Sequence, residues 1–438
     1  MKIKLFNHSV VKSSFWMLLE KVSRLFLGVL VSSLMARSLG PSDFGQLNFL
    51  ISLLSIASVL SSLGLNRIIV REVTNNVTDK LFINETVFTT LYLRLIVSLL
   101  LWIAAMMLCV VVFNDDFLYV AIVFFSLFFI SFDVFDFYAQ GCSNFKIISL
   151  CRLLVFLVTS ALKLYLIYMG YGLESFIFLV LIEYILIAIA FYFFFIRRSI
   201  LLHSSSIFIF NSRRATFLLK ESWPEIIAGF GAILFMRVDQ VFLQLISGDE
   251  SVGIYSAATR ITEAWYFLPT VLISTTFPKL IEARNNCSQR YQDGLQLLMS
   301  FLVLLSIVVA VFFTITADLI VALLFGKSYA ESANVIMLHT WGGVFLCMGL
   351  ASGSWLVAEK KLKLNLLRNL FGLSVSALAN WILIPKYGVT GSAMATVAGL
   401  SAAFYFFDIL HPQLRKMFWI KTSAFLPIYI FKYIRQRN

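Results

Sequence analysis

The chain has 438 residues, 60% of them hydrophobic and 13% charged, with a net charge of +12 and a mean hydropathy of +0.90. Soluble globular chains are about half apolar and about a quarter charged, so an ordinary water-soluble enzyme is excluded and the apolar blocks read as a polytopic membrane protein. Five cysteines without a CxxC pair or a nearby His, and four histidines without a triad, give no metal, cofactor or hydrolytic framework.

A bilayer core needs roughly 20 apolar residues per helix, and twelve such blocks follow in order. The first, 13–36, places Trp16, Glu20, Arg24 and Gly28 on one face, with Glu20 and Arg24 in the favourable pairing order. Its charges also distinguish it from a cleavable signal peptide. Next come 43–65, 84–112 with Arg94, 117–140 with Asp133, Asp136 and Gln140, 148–169 with Lys163, and 174–196 with Glu183. A Ser- and Arg-rich linker, 197–219, divides six blocks from six. The seventh, 220–247, carries Glu225, Arg237, Asp239, Gln240 and Gln244; the eighth, 252–277, carries Arg260 and Glu263, with Pro269 as an expected kink. The blocks 295–317, 332–357, 362–384 and 389–410 complete the set, almost free of charge apart from Arg368. The tail segment 418–434, broken by Lys421 and Pro427, reads as interfacial. The expected layout is an all-α membrane protein with a six-helix bundle over 1–196, a basic cytoplasmic linker over 197–219, a second six-helix bundle over 220–410 and a basic tail over 411–438.

The basic residues orient this layout. With the N-terminus in the cytoplasm, 25 of the 35 Lys and Arg fall in the termini and inner loops, and only Arg37, Lys327 and Lys386 fall outside. That asymmetry predicts both termini cytoplasmic and accounts for the net charge through basic membrane loops, with anionic lipid as a second partner of the linker, rather than through nucleic acid. The longest outer loop is about 14 residues, 318–331, too short to fold as a catalytic domain.

The two halves echo each other. Gly40 to Gly45 and Gly248 to Gly253 each read Gly, four residues, Gly, 208 residues apart; Tyr171-Gly172 and Tyr387-Gly388 lie 216 apart. Six spans per half make the repeat parallel, about an axis along the membrane normal, with a cavity expected between the bundles. Charges at membrane depth face a cavity or a partner. Arg24, Arg94, Arg237, Arg260 and Lys163 are the candidate cationic lining for an anionic substrate. Glu20, Asp239, Glu263, Asp133 and Asp136 are the candidate coupling or gating acids. Each has a structural alternative: Glu20–Arg24 and Arg260–Glu263 as fixed ion pairs, Lys163 as a snorkelling side chain, and Asp133 and Asp136 as solvated residues at a helix end.

The run Ala36-Arg37-Ser38-Leu39-Gly40-Pro41-Ser42-Asp43-Phe44-Gly45 resembles the AR-LGP-x-x-[FY]-G signature of the polysaccharide transporter family. Ser62-Leu63-Gly64-Leu65 through Arg71-Glu72, Leu324-Phe325-Gly326-Lys327-Ser328-Tyr329 and Pro385-Lys386-Tyr387-Gly388-Val389-Thr390-Gly391-Ser392-Ala393 are similar to further segments of that family, so the resemblance runs over about 10–410. That family contains the O-antigen and capsule repeat-unit flippases and belongs to the multidrug/oligosaccharidyl-lipid/polysaccharide exporter superfamily. The resemblance implies alternating access of two six-helix bundles in the bacterial inner membrane. It implies a glycan carried on undecaprenyl pyrophosphate, plausible ion-gradient coupling, and a polysaccharide polymerase and chain-length regulator as candidate partners. A drug or cation antiporter of the same superfamily is the alternative, and would favour a net-acidic cavity. A membrane polymerase or transferase is a third reading, for which the sequence supplies neither a large outer loop nor a catalytic constellation.

Overall fold

The computed structural model describes residues 8–112, 117–198, 210–286 and 288–426; the side chains of 8–20, Glu20 included, lie outside the described residues. The described residues contain helices and turns and no strand. Nine helical stretches among them are long and apolar enough to cross a membrane. Two of those stretches, each divided by a glycine, hold two sequence blocks apiece, so the nine account for eleven of the twelve; the eighth block, 252–277, lies on two shorter helices outside that set.

Helix α1, His8–Ser61, breaks at Gly40 (φ 78, ψ 171), with Pro41 immediately after. That backbone region is open essentially to glycine alone, and proline is preformed for the first turn of the following helix. Helices α2 (Asn66–Asn75), α3 (Lys80–Val112), α4 (Phe117–Ile130) and α5 (Val134–Gly141) follow, the last two joined by a 3-10 turn at Ser131–Asp133. Then come α6 (Phe145–Tyr168), α7 (Leu173–Arg198) and α8 (Ser212–Ser247). Gly248 (φ 80, ψ −175) repeats the conformation of Gly40 before α9 (Asp249–Ala264). A turn at Trp265–Tyr266 separates α9 from α10 (Phe267–Asn286). Pro269 explains the position of that turn: it lacks an N–H for the carbonyl four residues back, at Trp265, and its ring crowds it. Helices α11 (Ser288–Leu324), α12 (Ser332–Ala358) and α13 (Leu362–Ser401) follow, α13 broken at Gly388 (φ 57, ψ −133). A π-helical turn at Ala402–Phe406 leads into α14 (Phe407–Leu410), and α15 (Arg415–Ala424) ends the described chain.

The chain forms two compact units: residues 1–39 with 50–233, and residues 40–49 with 234–438. Unit 1 has a core of α2, α3, α5 and α7 residues, centred on Phe88, Phe135 and Phe195, with the last two rings 4.4 Å apart. The amphipathic helix α2 is tied to the start of α8 by an antiparallel ionic ladder. Arg67 pairs with Glu225 at 3.4 Å, Arg71 donates to Glu221 at 2.7 Å, and Arg214 reaches Glu72 at 2.5 Å while lying over the Phe82 ring. The Glu221 and Glu72 carboxylates hold the Arg71 guanidinium above its ordinary pKa. Unit 2 has a core of α10, α11 and α12 residues onto which α15 docks through Met417 and Ala424. Residues 427–434 of the expected interfacial segment lie outside the described residues.

The repeat extends to turns that carry no glycine signal. Ser143 and Lys360, 217 residues apart, both adopt φ 59. Asn144 N–H bonds to Ala139 O and Lys361 N–H to Leu356 O, both at 2.8 Å. One turn later Arg152 pairs with Asp136, and at an offset of 216 Arg368 donates to Ser352 Oγ at 2.7 Å.

Candidate functional site

Polar side chains concentrate at two places, one in each unit. In unit 1 the tip of α1, the start of α2, helix α3 and the 3-10 turn surround a half-open cavity of about 130 Å³. Its lining includes Ser58, Ser62, Asn66, Arg94, Asp133 and Phe137. Arg94 is 2% exposed. One of its guanidinium N–H groups donates to Asn66 Oδ1, its plane lies 5.8 Å from the Phe137 ring centre, and its Nε has no partner. Asp133, across the cavity, is attracted by Arg152 and Arg94 and repelled by Asp136. The Arg94 charge, which lacks an acid on its own helix face, is thus met by one from a neighbouring element.

The other unit 1 candidates lie apart from this cavity's lining. Asp136 is fully buried, pairs with Arg152 and accepts a hydrogen bond from Gln140 at 3.1 Å. Lys163 donates to Glu183 at 2.8 Å across α6 and α7, a pairing of the fifth and sixth sequence blocks. Arg24 lies 5.6 Å from the Phe156 ring centre. The side chain of Glu20, its proposed partner, falls outside the described residues.

In unit 2 the centre is Asp239, 3% exposed on α8. Its Oδ2 accepts from Tyr255 on α9 at 2.9 Å and from Thr396 on α13 at 2.6 Å. Its Oδ1 accepts from Asn380 at 2.7 Å and, more distantly, Ser376 at 3.4 Å. Ser392 in turn donates to Asn380 Oδ1 at 3.0 Å, fixing the amide orientation. These four donors to the carboxylate are neutral. Glu263 lies in the fields of Arg237 and Arg260; Arg260 donates to Asn48 at 3.3 Å, and Arg237 leaves a buried Nε without a partner. Asp239, Glu263, Arg237 and Arg260, read separately from the seventh and eighth blocks, therefore belong to one region of unit 2. Tyr255, Ser376, Asn380 and Thr396 do not stand out in sequence, although an Asn inside the apolar block 362–384 is the signal that was there to read. Among the described residues no group of three His, Cys, Asp or Glu side chains is arranged to hold a metal.

An all-helical chain with several stretches able to cross a membrane and ionisable groups gathered among them defines a multi-pass membrane protein. A family model described as polysaccharide biosynthesis protein matches residues 10–283, and the chain belongs to that family. It is similar to the capsular polysaccharide biosynthesis protein CapF of Staphylococcus aureus, 23% identical over 177 residues, which make up 39% of this chain and 44% of that relative. The chain thus spans less than half the length of the curated relative it matches. Among solved structures it is similar to an inward-facing multidrug resistance MATE family transporter of the MOP superfamily, with a TM-score of 0.71, 13% identity and coverage of 93% of this chain and 98% of that one. It is also similar to the lipid II flippase MurJ in an inward closed conformation, with a TM-score of 0.69, 14% identity and coverage of 97% and 93%. These likenesses establish the fold.

Proposed function

We propose that the chain is a flippase that carries a glycan linked to undecaprenyl pyrophosphate from the cytoplasmic to the outer face of the bacterial inner membrane. The observation that carries this reading is the conjunction of a polysaccharide biosynthesis family with a transporter fold that a lipid II flippase also adopts. The proposed arrangement is two six-span repeat halves, 1–196 and 220–410, with both termini cytoplasmic. Arg24, Arg94, Arg237, Arg260 and Lys163 are the proposed substrate-binding cations. Asp239 is the foremost coupling acid: a buried carboxylate held by neutral donors is poised to take up a proton or attract a cation. Glu20, Glu263, Asp133 and Asp136 are the further coupling candidates.

The test is a deletion strain, scored for surface polysaccharide and for lipid-linked intermediates on each membrane face. Complete repeat units stranded on the cytoplasmic face, with no surface glycan, support the reading. Single repeats at the surface without chains make it a polymerase, and normal glycan with altered drug tolerance makes it an antiporter.

A further inference from the structure

We infer that the unit 1 cavity around Arg94 binds the sugar of the substrate and not its pyrophosphate, an assignment that rests on the flippase reading. The argument is a count of donors and acceptors. A serine hydroxyl has one proton and two lone pairs. Ser58 gives its proton to the Ser55 carbonyl at 2.8 Å and Ser62 gives its own to the Val59 carbonyl at 2.7 Å. Ser131, also in the lining, has the Leu127 carbonyl and the Ser98 hydroxyl as partners for its proton, both at 3.0 Å. These hydroxyls therefore meet a ligand as acceptors. Asp133 adds another acceptor and brings a negative charge into the same cavity. The donors are the Asn66 amide nitrogen, whose Oδ1 is already engaged by Arg94, and the guanidinium N–H groups of Arg94 beyond the one given to Asn66.

A phosphate oxygen only accepts. Here it would meet serine lone pairs and a carboxylate, and Arg94 would meet it with its charge already opposed by Asp133. A sugar hydroxyl both donates and accepts, so it matches a lining with serine and carboxylate acceptors beside amide and guanidinium donors. Phe137, in the lining, supplies apolar surface for the C–H groups of a pyranose. The cavity has room for about ten water-sized groups, the scale of one sugar ring. The residues that set sugar preference would then be Ser58, Ser62, Asn66 and Asp133, leaving the pyrophosphate to cations elsewhere.

The test compares two probes on the purified full chain in lipid nanodiscs: the lipid-linked glycan that accumulates in cells lacking this chain, and bare polyprenyl pyrophosphate. Ser58→Ala removes a hydroxyl whose proton goes to its own helix backbone, so the variant should fold; Ser62→Ala is the second probe of the same surface. Each should weaken binding of the glycan-bearing lipid about tenfold and leave binding of the bare carrier unchanged. Equal weakening of both probes would assign the cavity to the pyrophosphate, and unchanged binding of both by either folded variant would remove it from the substrate path; either result overturns the assignment. Should no lipid-linked glycan accumulate in the deletion strain, the flippase reading itself fails first, and this assignment goes with it.

Discussion

Gly45 and Gly253 press reciprocally on each other's helix. A Cβ on Gly45 would lie 1.8 Å from the Asp249 carbonyl oxygen, and one on Gly253 would lie 1.9 Å from the Pro41 carbonyl oxygen. Each glycine is the 208-residue counterpart of the other, and so are Pro41 and Asp249. Their neighbours Gly40 and Gly248 are glycines for another reason: both have positive φ and nothing within 4 Å of the Cβ position. Gly45→Ala and Gly253→Ala must push two backbones apart and should each cost more than about 3 kcal/mol, read as loss of membrane abundance. Gly40→Ala should cost about 1–3 kcal/mol from backbone strain alone and leave a detectable, less stable protein in a melting assay.

Arg237 and Arg260 both attract Glu263, so removing one leaves the acid with a compensating charge. Arg237→Ala should therefore keep membrane abundance within about twofold while export falls by at least about tenfold, the loss of one charged contact to an anion. Should abundance collapse and return on adding Glu263→Gln, the pair is a structural lock and Arg237 is not a substrate contact.

Asp239 is expected to separate stability from coupling. Asp239→Leu removes the carboxylate that Tyr255, Asn380 and Thr396 share, at about 1.5–3 kcal/mol for a hydrogen bond to a charged group, and should deplete the protein. Asp239→Asn retains one acceptor oxygen, so the protein should persist. Its remaining transport should no longer respond to an imposed proton or cation gradient in vesicles; an unchanged response would take Asp239 out of the coupling mechanism.

The pH dependence of the C-terminal docking follows from Lys421, which is fully buried and donates to Asp408 Oδ2 at 2.7 Å and to the Phe404 carbonyl at 2.6 Å. Burial, with repulsion from Arg368, outweighs the pull of Asp408 and brings Lys421 down to about 8 from 10.5. Between those values the unfolded state binds the extra proton, so stability rises with pH across that window, and below about 8 the burial cost stands in full. The melting temperature of the wild type should gain on Lys421→Met between pH 7.5 and 9.5, an interval chosen to straddle roughly 8. Parallel behaviour of the two proteins would show that Lys421 does not titrate there. Lys421→Ala at neutral pH leaves Asp408 buried without its ion-pair partner, at about 3–5 kcal/mol.

Much of the helical fold is legible because span length and hydropathy are one-dimensional properties. Gly40, Gly248 and Gly388 mark breaks that the structure reproduces, and Pro269 locates the turn four residues before it. The sites are less legible because helical periodicity reports only which residues share a face of one helix. Asp239 receives Asn380 and Thr396 from 141 and 157 residues away. Arg94 and Asp133 line one cavity from two different blocks, Asp133 within the 3-10 turn Ser131–Asp133 that interrupts the fourth. Lys421, which in sequence interrupts an apolar tail, is instead the partner of a buried acid.

Membership of the compact units does not follow the order of synthesis. Residues 40–49 belong to unit 2, and residues 220–233, beyond the linker, belong to unit 1. A ribosome that has finished the first six spans has therefore not yet made all of unit 1, while Gly45 waits for Gly253 to be translated. Each unit therefore draws residues from both sides of a break in the chain order. Fragments 1–209 and 210–438 should each be degraded when expressed alone and persist when expressed together.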